Sequence, residues 1–346
     1  MHRRALFKLA LAAGAVGASG WAGAKTTPAL LKPKALRAGM TVGLVAPASP
    51  APERDEVHFG LDIIRSLGFN AQAGKHVFEK NQYLAGSDEQ RAADINSFFA
   101  DPSVDAIFCL RGGYGSARLL PLLDYRRIAQ NPKVLLGYSD ITALLNGLQR
   151  QTGLVTFHGP VAAHGLTDYS VAEFQKVLQP ARFTEPLVIG AAPEFEPRPG
   201  RLDKANRLTV IRGGKASGRL VGGNLTVLTS LLGTPFEPEV KGAILFLEDI
   251  GEEPYRLDRM LTQWWLAGKL QQLNGIVFGK FTEAKASGNS FSIEDVLRSR
   301  CEALAIPVLR GTMIGHVADQ TTVPLGVLAE LDADAGRLTL LESAVS

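Results

Sequence analysis

Three polar side chains stand where long apolar runs stop. Ser139 follows "KVLLGY", Glu248 follows "GAILFL" and His316 follows "PVLRGTMIG". A serine hydroxyl alone is a weak nucleophile. It attacks a carbonyl when a base takes its proton and a third group orients that base. Histidine is the commonest base and a carboxylate its usual orienter, so one complete set is present, in chain order Ser, Glu, His. Each residue also has a plain structural reading. Ser139 suits the N-cap of a helix over 140–150. Glu248 belongs to an acidic stretch with Asp249, Glu252 and Glu253, and His316 reads equally as a hydrogen-bonded core histidine. Periodicity does not bring such distant residues within hydrogen-bond reach, so both readings stay open.

The glycine-rich stretch "LRGGYGS", 110–116, follows an apolar strand pattern. Gly112, Gly113 and Gly115 let a backbone turn sharply and approach a ligand. The spacing is not that of a dinucleotide loop, and no Lys-Ser/Thr pair follows as in a phosphate loop. A backbone N–H of such a loop suits an oxyanion instead, and the Asp140 N–H at a helix start suits it as a second donor. "GYSD" departs from the Gly-x-Ser-x-Gly turn of ordinary α/β-hydrolases, because Ile141 stands where the second glycine belongs. His158 and His164 lack a third ligand at metal spacing, so no metal site is expected. Cys109 lies inside an apolar run and Cys301 inside a helical pattern; both read as unpaired core residues.

These residues need a scaffold of alternating elements. "MTVGLVA", "DAIFCL", "KVLLGYS" and "LVTFHG" read as short buried strands. "ERDEVHFGLDIIRSLG", "SDEQRAADINSFFADP" and "DITALLNGLQRQTG" read as the helices between them, the second with Ser87 and Gln90 spaced as a capping box. Such alternation predicts a parallel sheet with helices on both faces, whose sites gather beyond the carboxyl ends of the strands. The rhythm breaks between about 165 and 206, where "IGAAPEFEPRPGRLD" is rich in Pro, Gly and charge. It resumes with "GRLVGGNLTVLTSLLGTP", whose glycines read as opening a helix. "GAILFLEDI" and "GIVFGKF" read as strands, residues 253–273 as a long helix carrying Trp264 and Trp265, and "PVLRGTMIGH" as a strand ending at the histidine. A hairpin turns at Asp332–Gly336. The expected division is an N-terminal domain over 38–168, a linker over 169–204 and a C-terminal domain over 205–346.

Residues 1–24 are of another kind. A basic start with Arg3 and Arg4 side by side, a mildly apolar Ala/Gly stretch and Ala22-Gly23-Ala24 match a twin-arginine export signal with its cleavage site, which predicts a periplasmic protein. The alternative is a retained N-terminal anchor, for which the apolar stretch is short. Removing Arg3, Arg4 and Lys8 with the signal cancels the formal charge of +3. No other basic block occurs, so a nucleic-acid partner is not expected. With 46% apolar and 21% charged residues, the chain as a whole has the composition of a folded globular protein.

Taken together, "GLVAPASP", "LRGGYGSARLLPLLDY", "LLGYSDITALL", "FHGP", "GRLVGGNLTVL", "FLEDIGEEPYRLDRML", "GIVFGKF" and "GHVADQTTVPLG" resemble the LD-carboxypeptidase family, serine peptidases of the murein-tetrapeptidase and microcin-C-resistance type. The matching stretches run from about residue 42 to 326. The resemblance implies a two-domain α/β protein, usually a homodimer, that uses no metal or cofactor. Its N-terminal domain is an open, mainly parallel sheet with flanking helices, flavodoxin- or glutamine-amidotransferase-like, and its C-terminal domain is also α/β. The family nucleophile falls on Ser139, its glutamate on Glu248, its histidine on His316, and its backbone oxyanion donors on Gly113 and Asp140. The implied reaction removes the terminal D-alanine of a murein tetrapeptide. Arg111 or Arg256 suits the terminal carboxylate, and Asn224 is either a site residue or a helix cap. The family's other branch hydrolyses amide-linked aminoacyl-nucleotides. A non-catalytic periplasmic binding protein is the remaining alternative, against which the complete Ser139, Glu248 and His316 set argues. The familiar members act in the cytoplasm, and the twin-arginine start sets this chain apart.

Overall fold

The computed structural model describes residues 28–180 and 186–346. The expected export signal lies outside the described residues. The first half of the chain lays down β1 (Thr41–Val45), β2 (Asn70–Ala73), β3 (Ala106–Cys109), β4 (Val134–Gly137) and β5 (Thr156–His158). They run parallel in the order β5-β4-β3-β1-β2. The helices between them are α1 (Arg54–Ser66), α2 (Asp88–Ala100), α3 (Tyr125–Gln130) and α4 (Thr142–Thr152). β3 and β4 are buried along their whole length, as parallel strands covered on both faces must be. The capping box at α2 is formed: Ser87 Oγ accepts from the Gln90 N–H and the Gln90 side chain accepts from the Ser87 N–H. The chain leaves β1 toward β2 and returns to β3 on the other side of β1. The loops after β1 and β3 therefore part at the carboxyl end of the sheet, which is where crevices form in such folds.

The expected linker, 169–204, is in part regular structure. It holds most of α5 (Asp168–Leu178) and all of β6 (Leu187–Ile189). Ser170, Phe174, Val177 and Leu178 form a helical stripe, and Phe174 packs edge-on against Phe69 and Phe108 of the first domain. The Pro-rich segment itself begins only after β6.

The second half adds β7 (Thr209–Arg212), β8 (Lys215–Asn224), α6 (Leu225–Leu231), β9 (Ile244–Ile250), α7 (Pro254–Leu266), β10 (Gly275–Thr282), α8 (Ile293–Cys301) and β11 (Val308–Arg310). It ends with β12 (Val323–Leu325), β13 (Leu328–Asp332) and β14 (Arg337–Leu340). The second sheet has the order β6-β14-β13-β8-β9-β10-β11-β7, with β8 to β11 parallel. β12 leaves this domain and pairs antiparallel with β5, closing the edge of the first sheet. Three sequence expectations shift here. Gly222 and Gly223 lie in β8, and the helix starts after them. The long helix stops at Leu266, where Ala267 caps it and Gly268 turns with φ 68°. The strand expected to end at His316 stops at Arg310, and Gly311 and Gly315 at φ 107° and 122° carry the chain on as a folded loop.

Both cysteines are buried and unpaired. The two halves share one of two apolar cores, and β9 lies between the two. Ile244 and Phe246 belong to the core that includes the first sheet, whereas Leu245 and Leu247 belong to the core beneath α7 and α8. Alternation along a strand then turns Glu248 toward the first domain.

Candidate active site

β4 ends at Gly137, and the chain must turn from strand to helix within a few residues. Ser139 takes φ 61°, one of three described non-glycine residues at positive φ. A short 3-10 turn, Ser139–Ile141, then leads into α4. The Ser139 side chain does not cap the helix. A strained strand-to-helix turn that presents a serine is the geometry of a nucleophile elbow. Room for it comes from a neighbouring loop: a Cβ on Gly112 would stand 2.9 Å from the Ser139 Cβ.

His316 comes from the loop after β11. Its Nε2 lies 3.0 Å from Ser139 Oγ and its Nδ1 lies 2.7 Å from Glu248 Oε2. An ionised carboxylate only accepts, so Nδ1 carries the ring proton and Nε2 is left to accept from the serine hydroxyl. The loop is pinned on all sides. Gln320 Nε2 donates to the Gly315 carbonyl at 2.9 Å, the Thr321 N–H to the Met313 carbonyl at 2.8 Å, and the Lys280 N–H to the Ile314 carbonyl at 2.8 Å. Tyr138 supports the imidazole with its ring centroid 4.8 Å away. Glu248 is fully buried, and burial raises its carboxyl above the usual range while the His316 hydrogen bond opposes that rise. Its second oxygen, Oε1, has no hydrogen-bond partner among the described residues. Burial also raises both thiols, Cys301 to about 12, so neither cysteine is a thiolate nucleophile.

The carboxylate of Asp140 accepts from the Ser116 N–H at 2.8 Å, and Ser116 Oγ donates back to the Asp140 carbonyl. This reciprocal pair joins the glycine loop to the serine turn. Asn224 is buried, accepts from the Val227 N–H as the cap of α6, and donates to Asp249 at 2.8 Å. Arg111 is half-buried; its Nη1 donates to the Pro50 carbonyl at 3.3 Å and lies 3.9 Å from Glu56. Arg256 is exposed on α7 beside Tyr255 and Glu252. A cavity of about 420 Å³ opens beside His316, lined among others by Tyr138, Val161, His164, Leu166 and Ile250. Arg111, Asn224 and Arg256 do not line it. Sequence reasoning passed over Tyr138 and the 160–166 wall. Their signal was present, since Tyr138 adjoins Ser139 and the wall continues from "FHGP".

A doubly wound sheet with a serine, a histidine and a carboxylate in hydrogen-bond series at its carboxyl edge defines a serine-type hydrolase. The first half, residues 42–159, matches the LD-carboxypeptidase N-terminal domain, and residues 217–331 match the LD-carboxypeptidase C-terminal domain. The probable murein peptide carboxypeptidase of Bacillus subtilis is 40% identical over 91% of this chain and 95% of its own. The murein tetrapeptide carboxypeptidase of Pseudomonas aeruginosa is 36% identical over 85% and 93%. The solved structure of MccF in complex with glutamyl sulfamoyl guanosine superposes with a TM-score of 0.81 at 29% identity, covering 91% of this chain and 100% of that one. The chain belongs to the LD-carboxypeptidase family and is a serine-type carboxypeptidase.

Proposed function

We propose that this carboxypeptidase releases the terminal D-alanine from murein tetrapeptides through Ser139, His316 and Glu248. The observation that carries the reading is the unbroken series from Ser139 Oγ through His316 to the buried Glu248 carboxylate. The names of the two murein peptidases among its relatives support the substrate class. His316 Nε2 takes the hydroxyl proton as Ser139 Oγ bonds to the scissile carbonyl carbon. The oxyanion is received by the backbone N–H groups of Gly113 and Asp140, neither of which donates a hydrogen bond within the described residues. The C–N bond breaks, His316 returns its proton to the departing amine, and water then hydrolyses the acyl-enzyme. Arg111, whose own contacts are long, is our choice for the terminal carboxylate.

The twin-arginine-like start supports a periplasmic site of action on stems of the cell wall or on fragments before uptake. Trp265 and Leu266, exposed at the end of α7, offer apolar area to a second copy and support a homodimer.

Incubation of the purified protein with murein tetrapeptide is expected to yield tripeptide and free D-alanine. Ser139→Ala is expected to lower the rate at least about 10³-fold. No release by wild type removes the substrate assignment, and cleavage of an aminoacyl sulfamoyl adenosine in its place transfers it to that class. Release that persists in Ser139→Ala removes the mechanism. Recovery of the protein only from the cytosol on cell fractionation removes the periplasmic part.

A further inference from the structure

Arg91 lies on α2, away from the three site residues, and only 2% of it is exposed. Burying a guanidinium is costly unless its donors are used. Here Nη1 donates to two main-chain carbonyls, those of Pro47 and Gly115, the latter at 3.0 Å. Nη2 pairs with Asp88, which Arg118 also holds from outside, with Nη2 at 2.8 Å. Pro47 is in the loop after β1 and Gly115 in the loop after β3, the two loops that part at the crevice. Nε has no partner within the described residues, so Arg91 is better placed to tie loops than to maximise its own pairing.

A second tie joins the same two loops. The Ser49 N–H donates to the Gly112 carbonyl at 3.3 Å and Ser49 Oγ accepts from the Tyr114 N–H at 3.2 Å. These contacts flank Gly113 on both sides. The packing is tight: a Cβ on Gly113 would come within 2.4 Å of Ser49 Oγ, and one on Gly115 within 3.1 Å of Arg91 Nη1. From Gly115 the chain passes directly to Ser116 and its reciprocal bond with Asp140.

We propose that Arg91 and Ser49 are positioning residues, a two-point clasp that holds the Gly113 N–H against the Ser139 turn as an oxyanion donor. The inference rests on the acyl-transfer reading above. Arginine suits the task because its planar fork reaches two carbonyls and a carboxylate together, which a lysine ammonium on one stem does not. A donor displaced by a fraction of an ångström loses value in the transition state and not in substrate binding.

The test measures kcat and KM for D-alanine release from murein tetrapeptide. Arg91→Lys and Arg91→Gln are expected to lower kcat at least about tenfold while KM stays within about threefold. Asp88→Asn keeps both carbonyl contacts and is expected to hold kcat within about twofold. Ser49→Ala deletes one oxygen and is expected to lower kcat about tenfold at similar KM; it decides the matter if neither Arg91 variant folds. A folded Arg91 variant or Ser49→Ala with wild-type kcat overturns the clasp. So does a loss in Asp88→Asn equal to that in Arg91→Lys, which assigns the effect to the buried ion pair. Inactive wild type overturns the substrate reading and takes the clasp with it, whereas active wild type with unaffected variants overturns the clasp alone.

Discussion

Ser139 carries two burdens at once. It presents its hydroxyl to His316, and it holds a left-handed backbone at φ 61°. That conformation costs a residue with a Cβ about 1–2 kcal/mol, a strain often kept at functional turns. The two substitutions that remove the hydroxyl should therefore differ in stability. Ser139→Gly is expected to be more stable than Ser139→Ala by about 1 kcal/mol in denaturant unfolding, although glycine loses more conformational entropy on folding. Equal stability, or the reverse order, means that the turn is not strained. The hydroxyl's use as a helix cap and its use as a nucleophile were both compatible with "LLGYSDITALL". The side chain does not cap α4, and the strained φ turns it toward His316.

Among the elements, α4 and β8 join the halves that must meet at the site. The Thr142 hydroxyl accepts from the Asn224 N–H at 3.0 Å, and Asn146 Nδ2 donates to the Gly222 carbonyl at 2.9 Å. Approach this close needs glycine. At Gly223, φ is 136° and a Cβ would stand 2.5 Å from Thr142 Oγ1. Gly223→Ala is expected to cost about 3 kcal/mol from overpacking and backbone strain. Gly268→Ala, at φ 68° with nothing within 4 Å of its Cβ, is expected to cost about 1 kcal/mol for the backbone alone. Chemical unfolding of both variants checks the difference, and equal losses remove the packing explanation. From sequence the Gly222-Gly223 pair read as opening a helix. A glycine pattern marks where a Cβ is not tolerated, without saying whether a turn or a neighbouring helix forbids it.

For the whole molecule, the junction between the sheets also buries a histidine. His158 ends β5 between the Gly137 and Val323 registers, and neither ring nitrogen has a partner within the described residues. Burial, assisted by nearby His316, lowers its pKa from 6.5 to about 3. The folded protein thus binds fewer protons than the unfolded chain between those values, and stability rises with pH through that window. As pH falls below about 6.5, His158 subtracts up to about 1.4 kcal/mol per pH unit, because the unfolded imidazole gains a proton that the folded one refuses. His158→Phe is expected to flatten the loss of stability between about pH 6.5 and 5, read by unfolding at several pH values. An unchanged slope shows that His158 does not govern that limb.

The sequence by itself determined what local chemistry and periodicity control. The buried parallel strands, the Ser87–Gln90 capping box and the hairpin turning at 332–336 follow from short-range patterns, and the structure forms each of them. Ser139, Glu248 and His316 stood out as candidates because each follows an apolar run, although in the structure Ser139 lies just past β4, Glu248 lies within β9 and His316 lies in the loop after β11. The tertiary structure alone decided their meeting. Ser139 and His316 are 177 residues apart and Glu248 and His316 are 68 apart, so their hydrogen bonds depend on two sheets sharing one core. The helix within the expected linker, the return of β12 to the first sheet and the folded 311–322 loop are likewise set by long-range packing. A run of residues encodes its own conformational preference. It does not encode which distant surface will bury its apolar face, and that choice brings Ser139, His316 and Glu248 together.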